Sequence, residues 1–168
     1  TLKLDKNKVT GTKLSITLSG LTGGHSGVEI DKGRGNANVL MSRILRDVIT
    51  DNNVYLAAFN GGRKDNAIPR ECMAEIIVEA DKTAEVKAAI ENAAKEIKEE
   101  FATSDEDLKC VVDISEGCST EAVTYEDSTR AVSLIQALPN GIMRMSQAID
   151  NLVETSLNLG VISLDESG

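Results

Sequence analysis

The stretch Thr-Lys-Leu-Ser-Ile-Thr-Leu-Ser, residues 12–19, alternates polar and apolar side chains. Leu14, Ile16 and Leu18 therefore share one face, which is typical of a β-strand with one side buried. A glycine-rich loop follows, and over residues 36–50 the apolar side chains recur every three or four positions. That spacing predicts an amphipathic helix. The chain is thus predicted to begin with a strand, a long loop and a helix.

The same two periods continue along the chain. Alternation predicts strands at 54–59, 71–79 and 108–114, and helical spacing predicts a second helix at 84–101, with Thr83 as its N-cap. The resulting order is β-α-β-β-α-β, that of the ferredoxin-like fold, in which an antiparallel sheet carries its helices on one face. We therefore predict an α+β, ferredoxin-like domain.

The last part of the chain is predicted to extend this unit. We assign residues 1–120 to the ferredoxin-like core and residues 121–168 to an extension with a third helix at 127–138 and a strand region at 152–164. The sequence Pro-Asn-Gly at 139–141 would end the helix. No further strand follows, and an unpartnered strand exposes backbone donors and acceptors. We therefore expect the chain to be part of a larger protein, truncated at its end.

Composition excludes several classes of protein. The 168 residues include 27 acidic and 18 basic side chains, and the aromatics are two Tyr and two Phe without Trp. Nucleic-acid binding needs a basic surface and stacking aromatics, so we expect none. No apolar run approaches the roughly 20 residues of a membrane span, and no signal peptide is seen. Three cysteines without CxxC spacing are typical of reduced thiols in a cytoplasmic protein.

The single histidine, His25, limits the chemistry of the chain. One imidazole excludes a multi-histidine zinc site, although a site made only of carboxylates stays open. His25 lies in a loop with four glycines between Gly20 and Gly27. Such a loop could hold the imidazole out from a rigid sheet, as a donor to a developing oxyanion. The alternative from the residues alone is a surface histidine in a flexible turn.

Other conspicuous residues also have simpler interpretations. Residues 33–36, Gly-Arg-Gly-Asn, precede a helix and suggest a phosphate loop, but they lack the spacing and the Lys of a Walker motif. We favour a helix entry in which Asn36 caps the first amides. Asn66 could be a turn former. Cys72 and Cys110 lie on the buried parity of their strands and are predicted to pack in the core.

Several stretches together resemble a known family. Residues 20–38 are Gly-Leu-Thr-Gly-Gly-His-Ser-Gly-Val-Glu-Ile-Asp-Lys-Gly-Arg-Gly-Asn-Ala-Asn, and they closely resemble the signature of the aminoacylhistidine dipeptidases, also called Xaa-His or carnosinase-like dipeptidases. Asn-Ala-Ile-Pro at 66–69, Leu-Pro-Asn-Gly at 138–141 and residues 152–160 agree with it. The resemblance covers nearly the whole chain.

The resemblance implies that two domains of one protein have different roles. In that family a catalytic domain binds two zinc ions, and a lid domain, which also mediates dimerisation in many relatives, is inserted into it. This chain resembles the lid. By resemblance, His25 would stabilise the tetrahedral intermediate and Asn66 would contact the substrate, while the chain would bind no metal. Its partners would be the catalytic domain of the same parent chain, a dipeptide substrate and a second copy in a homodimer; the fragment alone would be inactive.

The arginine that binds the substrate carboxylate in many relatives has no counterpart at the matching strand, where Glu79 stands instead. The resemblance does not transfer that role to Arg63, Arg70 or Arg144. The competing hypothesis is a stand-alone ferredoxin-like module that binds a small ligand or assembles subunits. It predicts saturable ligand binding by the chain itself, whereas the lid hypothesis predicts zinc ligands encoded on both sides of it.

Overall fold

The computed structural model describes residues 2–164, and its elements follow the predicted order with additions at the end. In chain order they are β1 (Lys6–Ser19), β2 (Gly24–His25), α1 (Ala37–Asp51), β3 (Tyr55–Gly61), β4 (Ala67–Ile68), β5 (Cys72–Val78), α2 (Thr83–Glu100), β6 (Lys109–Val123), α3 (Tyr125–Ala137), β7 (Gly141–Met145), β8 (Val153–Leu157) and β9 (Ile162–Leu164).

The main sheet confirms the predicted fold class. Its strand order is β6-β1-β5-β3-β9, and every neighbouring pair is antiparallel. The first four of these strands, together with α1 and α2, form the β-α-β-β-α-β unit of the ferredoxin-like fold. Leu14 of β1 pairs with Ile76 of β5 on one side and with Ile114 of β6 on the other. The strand that opens the sequence is therefore central in the sheet.

One face of the sheet forms the hydrophobic core. The side chains of Leu14, Ile16 and Leu18 are fully buried, as their alternation predicts, and they pack against apolar residues from all three α-helices. Each such aliphatic side chain contributes roughly 1.5–3 kcal/mol by leaving water. The core provides the rigid base from which the β1–α1 loop extends. Among residues 2–164, no helix is long and apolar enough to span a membrane.

The extension differs from its prediction. The region 152–164 is two short strands, and both have partners: β8 pairs with β7, and β9 pairs with β3 through Phe59 and Leu164. The expectation of an unpartnered strand is therefore wrong. The segment between β8 and β9 contains Asn158 and Gly160, which interrupt the strand, and the chain then returns to the edge of the main sheet.

Two local predictions also need correction. Thr83 is the first residue of α2 and not its cap; the N-cap position is Lys82, whose side chain makes no capping bond. Strand β6 continues nine residues past the predicted end at 114, pairing with the first half of β1. This part of β6 is mostly exposed and polar, so it lacks the alternation that marks a half-buried strand. Ile114 itself is 41% exposed.

Candidate functional site

The structure brings His25 and Asn66 together, although 40 residues separate them in the sequence. Strands β2 and β4 form a two-stranded sheet in which His25 pairs with Ala67, the residue after Asn66. The amide of Ser26 donates to the carbonyl of Asn66 at 3.0 Å. His25 and Asn66 are both exposed. The two predicted site residues therefore occupy one surface, with their backbones joined by hydrogen bonds.

The imidazole of His25 is oriented by its own loop. Its Nδ1 accepts a hydrogen bond from the amide of Gly27 at 3.0 Å. A neutral imidazole carries one N–H group, so an acceptor at Nδ1 places the proton on Nε2. A Cβ at position 27 would lie only 3.2 Å from Cε1 of the ring. Gly27 thus allows the close approach, and Nε2 is left as a donor on the exposed side of the loop.

The backbone of His25 is held by Glu29, which forms an ion pair with Arg34. The carboxylate of Glu29 accepts from the His25 amide at 2.8 Å and from Nη1 of Arg34 at 2.8 Å. The His25 amide, followed by the hydrogen bond and charge of Arg34, holds the pKa of Glu29 below its usual range. Arg34 also donates to the carbonyl of Gly23 at 2.6 Å. Arg34 thus binds both an acidic side chain and the backbone of the loop.

Gly24 lies next to the ion pair of Glu29 and Arg34 and has a φ of 142°. A Cβ there would stand 2.5 Å from Nη1 of Arg34 and 2.8 Å from Oε2 of Glu29. The positive φ strains any residue other than glycine, and a Cβ would also displace the ends of the Arg34 and Glu29 side chains. The glycines of the loop thus permit a specific set of side-chain contacts around the exposed His25.

A buried carboxylate closes the base of the loop. Asp105, which is 1% exposed, accepts from the amide of Thr22 through Oδ1 and from the amide of Gly35 through Oδ2, both at 2.8 Å. The hydroxyl of Ser104 donates to Oδ2 at the same distance. One side chain thus fixes both ends of the segment that carries His25.

The start of α1 follows the favoured interpretation of residues 33–36. Oδ1 of Asn36 accepts from the amides of Asn38 and Val39, at 3.0 and 3.3 Å. The helix N-terminus is therefore capped by a side chain of the protein, as predicted. The phosphate-loop alternative has no support from this geometry.

Sequence reasoning missed the roles of Glu29 and Asp105. Glu29 lies four residues after His25, and an acidic residue at that distance in a glycine-rich loop is a signal that could have been used. Asp105 has no local signal, because its partners at Thr22 and Gly35 are at least 70 residues away. The three arginines to which the carboxylate-binding role was not transferred all have partners. Arg63 pairs with Glu71, Arg144 pairs with Glu154, and Nε of Arg70 donates to the carbonyl of Leu21 at 3.2 Å.

The residues of this site do not fit a zinc centre. Within residues 2–164, no three His, Cys, Asp or Glu side chains come together in a way that could hold a metal ion. The one imidazole already uses Nδ1 to accept from Gly27. Of the thiols, Cys72 is buried, and burial raises its pKa; the pKa of Cys110 is raised to about 11 by burial and by the nearby charge of Glu91. A raised pKa disfavours the thiolate, the form in which cysteine binds a metal, so neither thiol is suited to be a ligand.

Comparisons with known proteins agree with this fold. The family described as "Peptidase dimerisation domain" matches residues 16–105. The cytosol non-specific dipeptidase of Escherichia coli (strain K12) is 38% identical over 168 residues, which are 99% of this chain and 34% of that protein. The crystal structure of aminoacylhistidine dipeptidase from Vibrio alginolyticus matches with a TM-score of 0.91 at 32% identity, over 98% of this chain and 34% of that one.

The chain therefore spans about a third of the length of each of these two relatives. The match with the aminoacylhistidine dipeptidase confirms the resemblance that the loop sequence indicated. The chain belongs to the peptidase dimerisation domain family.

Proposed function

We propose that this chain is the lid and dimerisation domain of a metallopeptidase that hydrolyses Xaa-His dipeptides, and that His25 stabilises the tetrahedral intermediate. The observation that carries the proposal is the orientation of the imidazole, with Nδ1 held by the amide of Gly27 and Nε2 left as an exposed donor. A donor fixed before the reaction begins stabilises developing negative charge without the cost of reorganising it.

The proposed step needs no proton transfer by His25. Attack of water on the scissile carbonyl makes its oxygen negative, and the N–H of Nε2 donates a hydrogen bond to that oxygen. The bond persists until the carbonyl reforms and the C–N bond breaks, while the proton lost by the attacking water passes to the departing amine through groups of the catalytic domain. Because the interaction is stronger in the transition state than with the neutral substrate, its loss should lower kcat more than it raises KM.

Asn66 is proposed to contact the substrate next to His25. Its side chain is exposed and, within the described part of the chain, forms no hydrogen bond with the protein. An amide group offers both a donor and an acceptor, which suits the amide and carboxylate groups of a dipeptide. The backbone bond between Ser26 and Asn66 would keep the two functional side chains in register.

The two zinc ions implied by the resemblance would belong to a catalytic domain of the same parent chain. By the same resemblance this domain would contribute none of the ligands, and we derive no step from them. We also propose that residues 1–120 and 121–168 form one inserted lid, that the domain mediates homodimer formation, and that the protein is cytoplasmic. The dimerisation family supports homodimer formation, and the name of the Escherichia coli relative, a cytosol dipeptidase, supports a cytoplasmic location.

The test is a set of variants in the full-length protein, assayed on an Xaa-His dipeptide. His25→Ala should lower kcat by about 10²–10³-fold, the usual loss for one oxyanion donor, with zinc content unchanged. His25→Gln, which keeps an N–H donor, should recover part of that loss. Val28→Ala is the matched control, since Val28 lies in the same loop with 76% of its side chain exposed. Equal activity in His25→Ala and Val28→Ala would refute the proposal.

The competing module hypothesis makes a different prediction. A stand-alone ligand-binding domain would bind a small molecule saturably without any catalytic domain. The proposed lid should show no hydrolysis of Xaa-His dipeptides and no stoichiometric zinc binding when prepared as residues 1–168. Both are measured directly, by dipeptide hydrolysis and by metal analysis after dialysis.

A further inference from the structure

A group of three asparagines connects the extension to the candidate site. Nδ2 of Asn36, the cap of α1, donates to Oδ1 of Asn140 at 3.0 Å and to Oδ1 of Asn158 at 3.2 Å. Oδ1 of Asn140 also accepts from the amide of Leu159 at 3.0 Å. We refer to Asn36, Asn140 and Asn158 as the asparagine cluster. Its members come from the start of α1, from the turn before β7 and from the segment between β8 and β9.

Asn158 contacts the chain on both sides of Asn66. Its Nδ2 donates to the carbonyl of Asp65 at 3.0 Å and to the carbonyl of Ala67 at 2.9 Å. Both hydrogens of one amide are thereby donated to the carbonyls of the two residues that flank Asn66. Its Oδ1 is the acceptor for Asn36, so the whole side-chain amide is engaged.

The backbones make a close approach at the same place. A Cβ on Gly160 would lie 2.7 Å from the carbonyl oxygen of Asp65, and a Cβ on Gly62 would lie 1.8 Å from the carbonyl oxygen of Gly160. Glycine at both positions lets the segment after β8 lie directly on the loop that leads to Asn66. The contacts of Asn158 are therefore part of a packed junction.

We propose that Asn158 is a positioning residue for Asn66, so that the extension sets the geometry of the substrate-contacting loop. Asn158 holds the carbonyls of Asp65 and Ala67, the residues before and after Asn66, and the carbonyl of Asn66 in turn accepts from Ser26, next to His25. The asparagine cluster anchors this arrangement to the start of α1. The inference rests on the proposed function in so far as it gives Asn66 a role in substrate binding.

The first arm of the test measures position without catalysis. In the full-length protein, Asn158→Ala should accelerate hydrogen exchange of the peptide containing Ser26 by about tenfold or more, because the carbonyl that accepts its amide is no longer held in place. Asn52→Ala is the matched control: Nδ2 of Asn52 also donates to a backbone carbonyl, that of Val48 at 3.2 Å, but at the far end of α1. Equal exchange in the two variants would overturn the inference.

The second arm measures substrate binding. Asn158→Ala should raise KM for an Xaa-His dipeptide by about tenfold, and Asn158→Ser, which keeps one donor, should raise it less. In an Asn66→Ala background the same change should raise KM by less than about twofold, because residues that act through one another are non-additive. A full increase in that background would overturn the positioning role.

The two arms separate this inference from the proposed function. If Asn66→Ala leaves KM unchanged, the proposed substrate contact of Asn66 fails, and the exchange of the Ser26 peptide still decides whether Asn158 positions the loop. If both variants raise KM but exchange is unaltered, the proposed contact stands and the positioning role is overturned.

Discussion

Replacement of Asp105 tests whether the base of the His25 loop is held by one buried carboxylate. Asp105→Ala removes the acceptor of the Gly35 amide, and Gly35 is itself buried. A hydrogen bond to a charged group is worth about 1.5–3 kcal/mol. The amide of Thr22 and the hydroxyl of Ser104 lose their bonds too, but in more accessible positions. We expect the free energy of unfolding to fall by about 3–4 kcal/mol in all.

Chemical unfolding followed by far-ultraviolet circular dichroism measures this loss, since the protein has no Trp to report by fluorescence. Asp105→Asn keeps the shape and one acceptor oxygen, and should lose about 1–2 kcal/mol. Glu106→Ala removes the adjacent, exposed carboxylate and should change stability by less than about 0.5 kcal/mol. If Asp105→Ala destabilises the protein no more than Glu106→Ala does, the assigned role of Asp105 is wrong.

Three further outcomes follow from the loop and the core. Gly24→Ala should disrupt the loop, because its φ is strained for alanine and the added methyl group would displace the guanidinium of Arg34 and the carboxylate of Glu29; the His25 amide should then lose protection from hydrogen exchange, and retained protection would contradict the assignment. Cys72 and Cys110 should resist a thiol reagent at pH 8 until the protein unfolds, since burial raises both pKa values; rapid labelling of Cys72 in the native state would be inconsistent with this. The folded state lowers the pKa of Glu29, so its carboxylate stabilises the fold above the usual glutamate pKa, and this effect is lost as the pH falls through the lowered value. The stability difference between the wild type and Glu29→Gln should therefore shrink below about pH 4. A difference independent of pH would argue against the contacts assigned to Glu29.

The fold could be predicted where burial imposes a period on the sequence. Leu14, Ile16 and Leu18 alternate because one face of β1 is buried, and the predicted α2 helix was placed within a residue of its observed ends. The second half of β6 was missed because both of its faces are largely exposed, so hydrogen bonding to β1 leaves no mark on its hydrophobic pattern. The pairing of β9 with β3 depends on a return of the chain that periodicity does not encode.

The candidate site could likewise be predicted only in part from the sequence. His25 and Asn66 were singled out through the family resemblance of their local sequences, and the capping role of Asn36 follows from its place before a helix. Their proximity, and the contacts of Asp105 and Asn158, join residues far apart in the chain. Such contacts are set by the packing of the whole domain, and no spacing within one segment predicts them.

The central claim is that His25 supplies a fixed hydrogen-bond donor to the reacting carbonyl, and the ratio of kcat between His25→Ala and Val28→Ala in the full-length protein tests it most directly. Both substitutions shorten an exposed side chain of the same loop, so a general disturbance of the loop would affect them alike. The account predicts a kcat at least about a hundredfold lower for His25→Ala, with equal zinc content in both variants. Values of kcat within about twofold of each other, a difference of only about 0.4 kcal/mol in activation free energy, would contradict it.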